Sequence, residues 1–319
     1  MSEVKRKHHF VPVSYLAKFM PSGSPDDRLS VLALSSGKTW ESRPSAIGFE
    51  KNLYAFDHPD ADPNTIEDTL SDRVEGPMAQ VMARLSDQNL PLGPEDYETL
   101  MRFLAMLAIR VPRIRRRERE DTRRIERFAT EMMLQRPDSF QWLVAQMERE
   151  GVRLPEGADL EALRQDLLAN PPLLMDQNWH METMLEIAEE LVPVFRARSW
   201  SLLVAEEDAG DFICSDSPVA MMSTDPARRR MPMGFGCEDV IVTAPLSRRM
   251  ALYGQFDGHS IMVKVDRPSV AFINQRTAAF AERHLYASSL DFPIALRDGS
   301  VGAWSEYQAQ RKLRPERTE

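Results

Sequence analysis

The chain predicts an α+β fold. A largely helical middle is flanked by a mixed or antiparallel sheet formed from an N-terminal hairpin and C-terminal strands. Three observations predict it. Leu29 to Leu34 is a short apolar, β-branched run that meets a turn at Ser35-Ser36-Gly37-Lys38 and returns at Thr39-Trp40-Glu41, the pattern of a hairpin. From Asn64 to about Arg198 the apolar residues recur at helical spacing. From Trp200 onward the apolar runs shorten again, and helices do not alternate with them as βαβ units require.

The elements follow in order. Tyr15 to Phe19 continues a short helix, and Pro21 to Asp27 is a loop. Asn64 to Leu85 carries Ile66, Leu70, Val74, Met78, Val81, Met82 and Leu85 on one helical face, with Gly76-Pro77 expected to kink or split it. Pro94 opens a helix whose core face is Leu100, Phe103, Leu104, Met106 and Leu107, and Pro112 kinks or ends it. Arg113 to about Gln135, Ser139 to Glu150, Leu160 to Ala169 and Leu173 to Arg198 read as further helices, the last strained by Pro193. Trp200 to Ala205 reads as a strand with Phe212-Ile213-Cys214 as its neighbour. Asp239 to Thr243, Met250 to Tyr253 and Ile261 to Val265 follow as strands, Ser269 to Ala281 as a helix, and His284 to Ala287 as a closing strand. The hairpin is expected to join the C-terminal strands in one sheet, with the helices to one side. Residues 1–310 are thus expected to form a single domain with a helical insertion at about 64–198, and residues 311–319 a charged, disordered tail.

Bulk composition narrows the function classes. The 319 residues are 43% hydrophobic and carry a net charge of −9, which argues against wholesale coating of nucleic acid but leaves room for a local basic patch. No apolar run approaches the roughly 20 residues of a membrane helix. The charged N-terminus lacks an apolar stretch behind it, so a cytoplasmic protein without membrane attachment is expected. Cys214 and Cys237 match no zinc-ribbon or redox pattern and read as reduced thiols. The glycine-rich phosphate loops, the Gly-x-Ser-x-Gly elbow and His-Glu-x-x-His are all absent.

Chemistry concentrates at Lys5-Arg6-Lys7-His8-His9-Phe10-Val11-Pro12, where two of only six histidines sit side by side. Imidazole suits proton transfer near neutral pH and transition-metal binding. Asp216 follows an apolar strand and precedes Ser217-Pro218; it could hold a cation, orient an imidazole, or close an Asx-turn. Glu67 and Glu75 lie eight residues apart, about 80° around a helix axis, as either a metal-binding pair or a solvated face. Arg110 ends an apolar helix face just before Val111-Pro112 and could clamp a phosphate, cap the helix, or pair with a glutamate. Residues 110–127 hold nine arginines against four acids. Arg113 and Arg117 could belong to a phosphate-binding stripe, or the helix could be a solvated or inter-subunit one, with pairs such as Glu120–Arg124. His180, His259 and His284 read as isolated and structural.

Lys-x-His-His-Phe-Val-Pro-x-x-Tyr-Leu-x-x-Phe resembles the N-terminal signature of the DUF4238 family. Asn52-Leu53-Tyr54, Glu67 and Glu75, Ile109-Arg110-Val111-Pro112, Phe212 to Val219, Pro245-Leu246-Ser247 and Asn274 are similar to the motifs that follow it, over roughly residues 5 to 290. The resemblance implies a function for His8 or His9 but no settled activity. His-His-x-x-Pro is also similar to the first strand of His-Me finger nucleases. The Asn and second His of such a unit would here be Asn52, 43 positions past His9, and His58.

Two readings follow. In the first the chain is a metal-dependent nuclease or phosphodiesterase of bacterial defence. His8 and His9 serve as base or ligand, and Asp216 and Arg110 complete the catalytic set. Asn52, Asn274, Arg113 and Arg117 bind substrate, and His9, Glu75 and Asp216 hold a divalent Mg, Mn or Zn ion. Nucleic acid or a phosphorylated small molecule is the partner, and a homo-oligomer is allowed. In the second the protein is a non-catalytic interaction or sensor module whose motifs lock the fold and whose Arg-rich helix binds a partner. Convergence of His8, His9, Asp216 and Arg110 in one cleft favours the first. Dispersal of those side chains, each satisfied by local backbone, favours the second.

Overall fold

The computed structural model describes residues 7–20, 22, 26–51, 53, 65–86, 92–135, 137–149, 159–169, 177–228 and 231–312. In chain order, β1 (Lys7–His9) leads into α1 (Val13–Leu16) and a 3₁₀ turn (Ala17–Phe19). Then come β2 (Leu29–Ala33), β3 (Thr39–Ser42) and β4 (Phe49–Lys51). The helical series is α2 (Thr65–Leu70), a π-helical turn (Ser71–Glu75), α3 (Gly76–Ser86), α4 (Pro94–Ile109), α5 (Pro112–Gln135), α6 (Pro137–Arg149), α7 (Leu160–Ala169) and α8 (Gln177–Arg196). The last part contains β5 (Ser199–Ala205), β6 (Cys214–Ser215), β7 (Ala220–Ser223), β8 (Val240–Ser247), β9 (Met250–Gln255) and β10 (Met262–Val265). It closes with α9 (Arg267–Phe280), β11 (His284–Ala287), β12 (Ile294–Ala295), β13 (Val301–Gly302) and α10 (Trp304–Lys312). Among the described residues no helix is long and apolar enough to cross a membrane.

Prolines set the helix boundaries as their chemistry demands. Pro94 and Pro112 each open a helix, where the missing N–H costs nothing. Pro77 lies inside a helical run, and its ring would strike the carbonyl four residues back. The chain widens into the π turn at Ser71–Glu75 immediately before it. The expected kink is therefore a change of helical pitch, and it aims Glu75 towards the end of α4.

The chain divides into two compact units, residues 1–113 with 181–319, and residues 114–180. The region expected to form one insertion is thus shared: α2, α3, α4 and most of α8 belong to the first unit. Their apolar faces enter a core with Phe10, Tyr15, Leu16, Phe19, Trp200, Leu202 and Val242. In the second unit Leu134, Phe140 and Val144 pack with Leu163, Leu167 and Leu168.

The sheets confirm the α+β class and correct its detail. The hairpin β2–β3 does join C-terminal strands, in the order β3-β2-β11-β6. There is not one continuous sheet: β12 pairs with β13, and five other C-terminal strands form a second sheet, β10-β5-β9-β8-β7. Its β10–β5 pair is parallel and the others are antiparallel. Phe212 to Cys214 is not the neighbour of β5. Cys214 and Ser215 pair with Tyr286 and Leu285 instead, and β7, which periodicity missed, borders β8. Residues 313–319 of the expected tail lie outside the described residues. Cys214 and Cys237 are free thiols.

Candidate functional site

The N-terminal motif is held by distant parts of the first unit. β1 pairs antiparallel with β4, His8 opposite Glu50 and His9 opposite Phe49. The carbonyl of Gly48 accepts from the backbone N–H of both Phe10 (2.9 Å) and Val11 (3.1 Å). The Tyr15 hydroxyl donates to the Pro245 carbonyl, and the Arg248 N–H donates to the Lys18 carbonyl at 3.0 Å. Motifs that lie more than 200 residues apart thus touch directly.

Arg110 is the central clamp. Its side chain is buried, and its Nε donates to the Phe10 carbonyl while Nη2 donates to the His9 carbonyl, both at 2.8 Å. Nη2 also meets Glu75 Oε1 at 2.9 Å. The guanidinium fork is therefore spent on two carbonyls and one carboxylate, a geometry that suits its fixed donors. Of the three uses predicted for Arg110, pairing with a glutamate is the one observed.

Asp216 is the second clamp. It sits just past β6, fully surrounded, and accepts three backbone N–H groups: Glu282 (2.9 Å), Arg283 (2.6 Å) and His284 (3.1 Å). Burial pushes its pKa up, and the N–H groups of Arg283 and His284 oppose that shift. The carboxylate does close a turn, but a remote one at the entry to β11 rather than its own.

The backbone that these clamps hold at Phe10, Arg283 and His284 lines a cavity of about 180 Å³. One wall is Phe10, Ile47, Gly48 and Phe49, from the strand pair β1–β4 and its approach. The other is Val31, Trp40, Arg283, His284 and Tyr286, along one face of β3-β2-β11 and the approach to β11. Trp40 meets His284 edge-on at 5.6 Å, and His284 stacks on Tyr286 at 6.3 Å. Arg283 stands at the mouth in an ion pair with Glu50 at 2.9 Å. Burial lowers the pKa of His284, so its imidazole is neutral at pH 7 despite the nearby Asp216. Aromatic faces and one guanidinium at a narrow cavity can hold a flat ring and an attached anion.

The remaining candidates are placed as follows. His8 is buried. The His9 ring lies edge-on to Phe49 at 5.6 Å and against the Ser45 carbonyl, and burial lowers its pKa to about 4. Its Nε2 is buried without a hydrogen-bond partner among the described residues. Asn274 takes the Ile213 N–H on Oδ1 and donates Nδ2 to the carbonyls of Asp211 and Pro293, so it ties α9 to two loops. The Arg113 guanidinium lies 5.1 Å over the Phe280 ring. Arg117 is exposed, 3.9 Å from Asp121. Asn52, Tyr54 and His58 lie outside the described residues, as does the side chain of Glu67. No group of three His, Cys, Asp or Glu among the described residues is placed to hold a metal ion, so His9, Glu75 and Asp216 do not form the expected ligand set there.

Sequence reasoning missed Trp40, Arg283 and His284. The alternation in Thr39-Trp40-Glu41, which leaves a large aromatic on a solvated strand, was the available signal.

Comparison with curated proteins returned no match, and comparison with solved structures returned none either. The family described as a protein of unknown function (DUF4238) matches residues 7–291, and with that span the chain belongs to it.

Proposed function

We propose that the protein is a non-catalytic sensor. Its site takes a phosphorylated small molecule with one flat ring, as in a mononucleotide. The observation that carries this reading is the use made of its two buried charged clamps. Arg110 holds the backbone of Phe10 in one wall of the aromatic cavity, and Asp216 holds the backbone of Arg283 and His284 in the other. At about 180 Å³ the cavity is smaller than the roughly 300–1,000 Å³ of drug-sized sites, so it suits one ring rather than a dinucleotide. Trp40 is 43% exposed at its rim, an ordinary place for a stacking platform. The Arg283–Glu50 pair is partly solvated. Such pairs contribute only about 0–1 kcal/mol, so a ligand phosphate can displace Glu50 at small cost.

Isothermal titration against a panel of nucleoside mono-, di- and triphosphates tests this. Binding by at least one mononucleotide is expected, weakened about tenfold or more by Trp40→Ala and by Arg283→Ala. Absence of binding by the whole panel, or binding indifferent to both substitutions, would sink the reading.

A phosphodiesterase reading keeps one specific support, the neutral imidazole of His284 in the cavity wall. A general base must be in that form. Turnover of a generic phosphodiester with added Mg, Mn or Zn, abolished by His284→Gln, would move the assignment from sensor to enzyme.

A further inference from the structure

The Arg-rich helix α5 carries an apolar stripe that charge alone does not explain. Ile125, Phe128 and Met132 are 64%, 63% and 57% exposed. Their spacing of three and four residues places them in one row over two turns. A helix that only faced water or phosphate would carry polar residues there, and a nucleic-acid backbone offers that row nothing apolar to cover it.

We infer that α5 pairs with α5 of a second copy of the chain, antiparallel, about a two-fold axis through Phe128. The flanking charges choose this occupant. Arg124 is exposed and Glu131 half-exposed. Seven residues apart, they differ by only about 20° around the helix, so both lie on the same edge of the stripe. Antiparallel pairing centred on Phe128 brings Arg124 of one copy beside Glu131 of the other, twice by symmetry. It also stacks Phe128 on Phe128 and sets Ile125 near Met132. A parallel pair would put the two Arg124–Glu131 edges on opposite sides of the seam, so neither charge would meet its opposite. The contact is isologous and closes at two copies, so it yields a dimer and not a filament.

Sedimentation velocity on the full chain tests the proposal. One helix pair buries less than the roughly 800 Å² per partner of a standard interface, so the series should reach about 100 µM. A concentration-dependent dimer is expected. Phe128→Glu, at an exposed position that leaves the fold intact by circular dichroism, should weaken it at least about tenfold. Arg124→Glu should weaken it, and Arg124→Glu combined with Glu131→Arg should restore it. A monomer at every concentration would overturn the inference. So would a dimer untouched by Phe128→Glu, or a double variant no better than the single one.

Discussion

Arg110 Nη2 lies 2.9 Å from Glu75 Oε1, and the same nitrogen holds the His9 carbonyl at 2.8 Å. One guanidinium thus joins the end of α4, the π turn and the N-terminal motif. The side chain of Arg110 is 2% exposed and that of Glu75 is 24% exposed, so the pair is asymmetric.

That asymmetry predicts unequal losses. Arg110→Lys keeps the charge but cannot reach three acceptors with one ammonium. It should lower the unfolding free energy by about 2–3 kcal/mol, because buried acceptors are left unsatisfied. Glu75→Gln keeps an acceptor oxygen near water and should cost about 1 kcal/mol. Urea denaturation of the two variants checks the order. Equal losses would mean that the two carbonyls contribute nothing.

Asp216→Asn preserves shape but replaces one acceptor by an NH₂ group that faces backbone N–H donors. The expected loss is about 1–3 kcal/mol. Because those N–H groups belong to Glu282, Arg283 and His284, hydrogen exchange should quicken at residues 282–284 first. Uniform protection there would show that Asp216 does not set that turn.

His9 gives a pH dependence with a defined sign. Burial holds its pKa at about 4 in the fold, against 6.5 when unfolded. Between these values the unfolded chain binds more protons. The stability is therefore complete above pH 6.5 and is lost as pH falls towards 4. The shift corresponds to at most about 3 kcal/mol from this residue. His284, also lowered by burial, adds in the same direction. His9→Phe should flatten the fall in melting temperature across this window. An unchanged slope would assign the effect elsewhere.

Gly48 adopts φ +65°, and a Cβ there would meet Val11 Cβ at 3.2 Å and Leu16 Cδ1 at 3.3 Å. Gly48→Ala should therefore cost about 1–2 kcal/mol through strain at a left-handed position. It should also loosen ligand binding, because Gly48 lines the cavity. A thermal melt within error of wild type would refute the strain.

Much of the architecture was legible, because local rules decide it. The β2–β3 hairpin follows from Ser35-Ser36-Gly37-Lys38, and helix starts follow from Pro94 and Pro112. Strand partnership was not. Phe212 and Ile213 look like a strand beside β5, yet the Phe212 N–H bonds the Arg248 carbonyl and the Ile213 N–H bonds Asn274 Oδ1. Local pattern cannot report a remote acceptor. The candidate site was legible as residue types and not as roles. Arg110 and Asp216 stood out as functional cations and anions, but backbone carbonyls and N–H groups, which every residue owns, took their capacity. Arg283 and His284 gained their place only when β11 crossed to β2.

That crossing has a cost in time. β2 is flanked by β3 and by β11, and the partner of Ala33 is His284, about 250 residues downstream. At roughly 5–20 residues per second on the ribosome, the N-terminal hairpin waits some tens of seconds with one edge unpaired. During synthesis the oldest segment of the chain is therefore among the last to be sheltered. Chains that stall before residue 284 should present that open edge to chaperones and proteases.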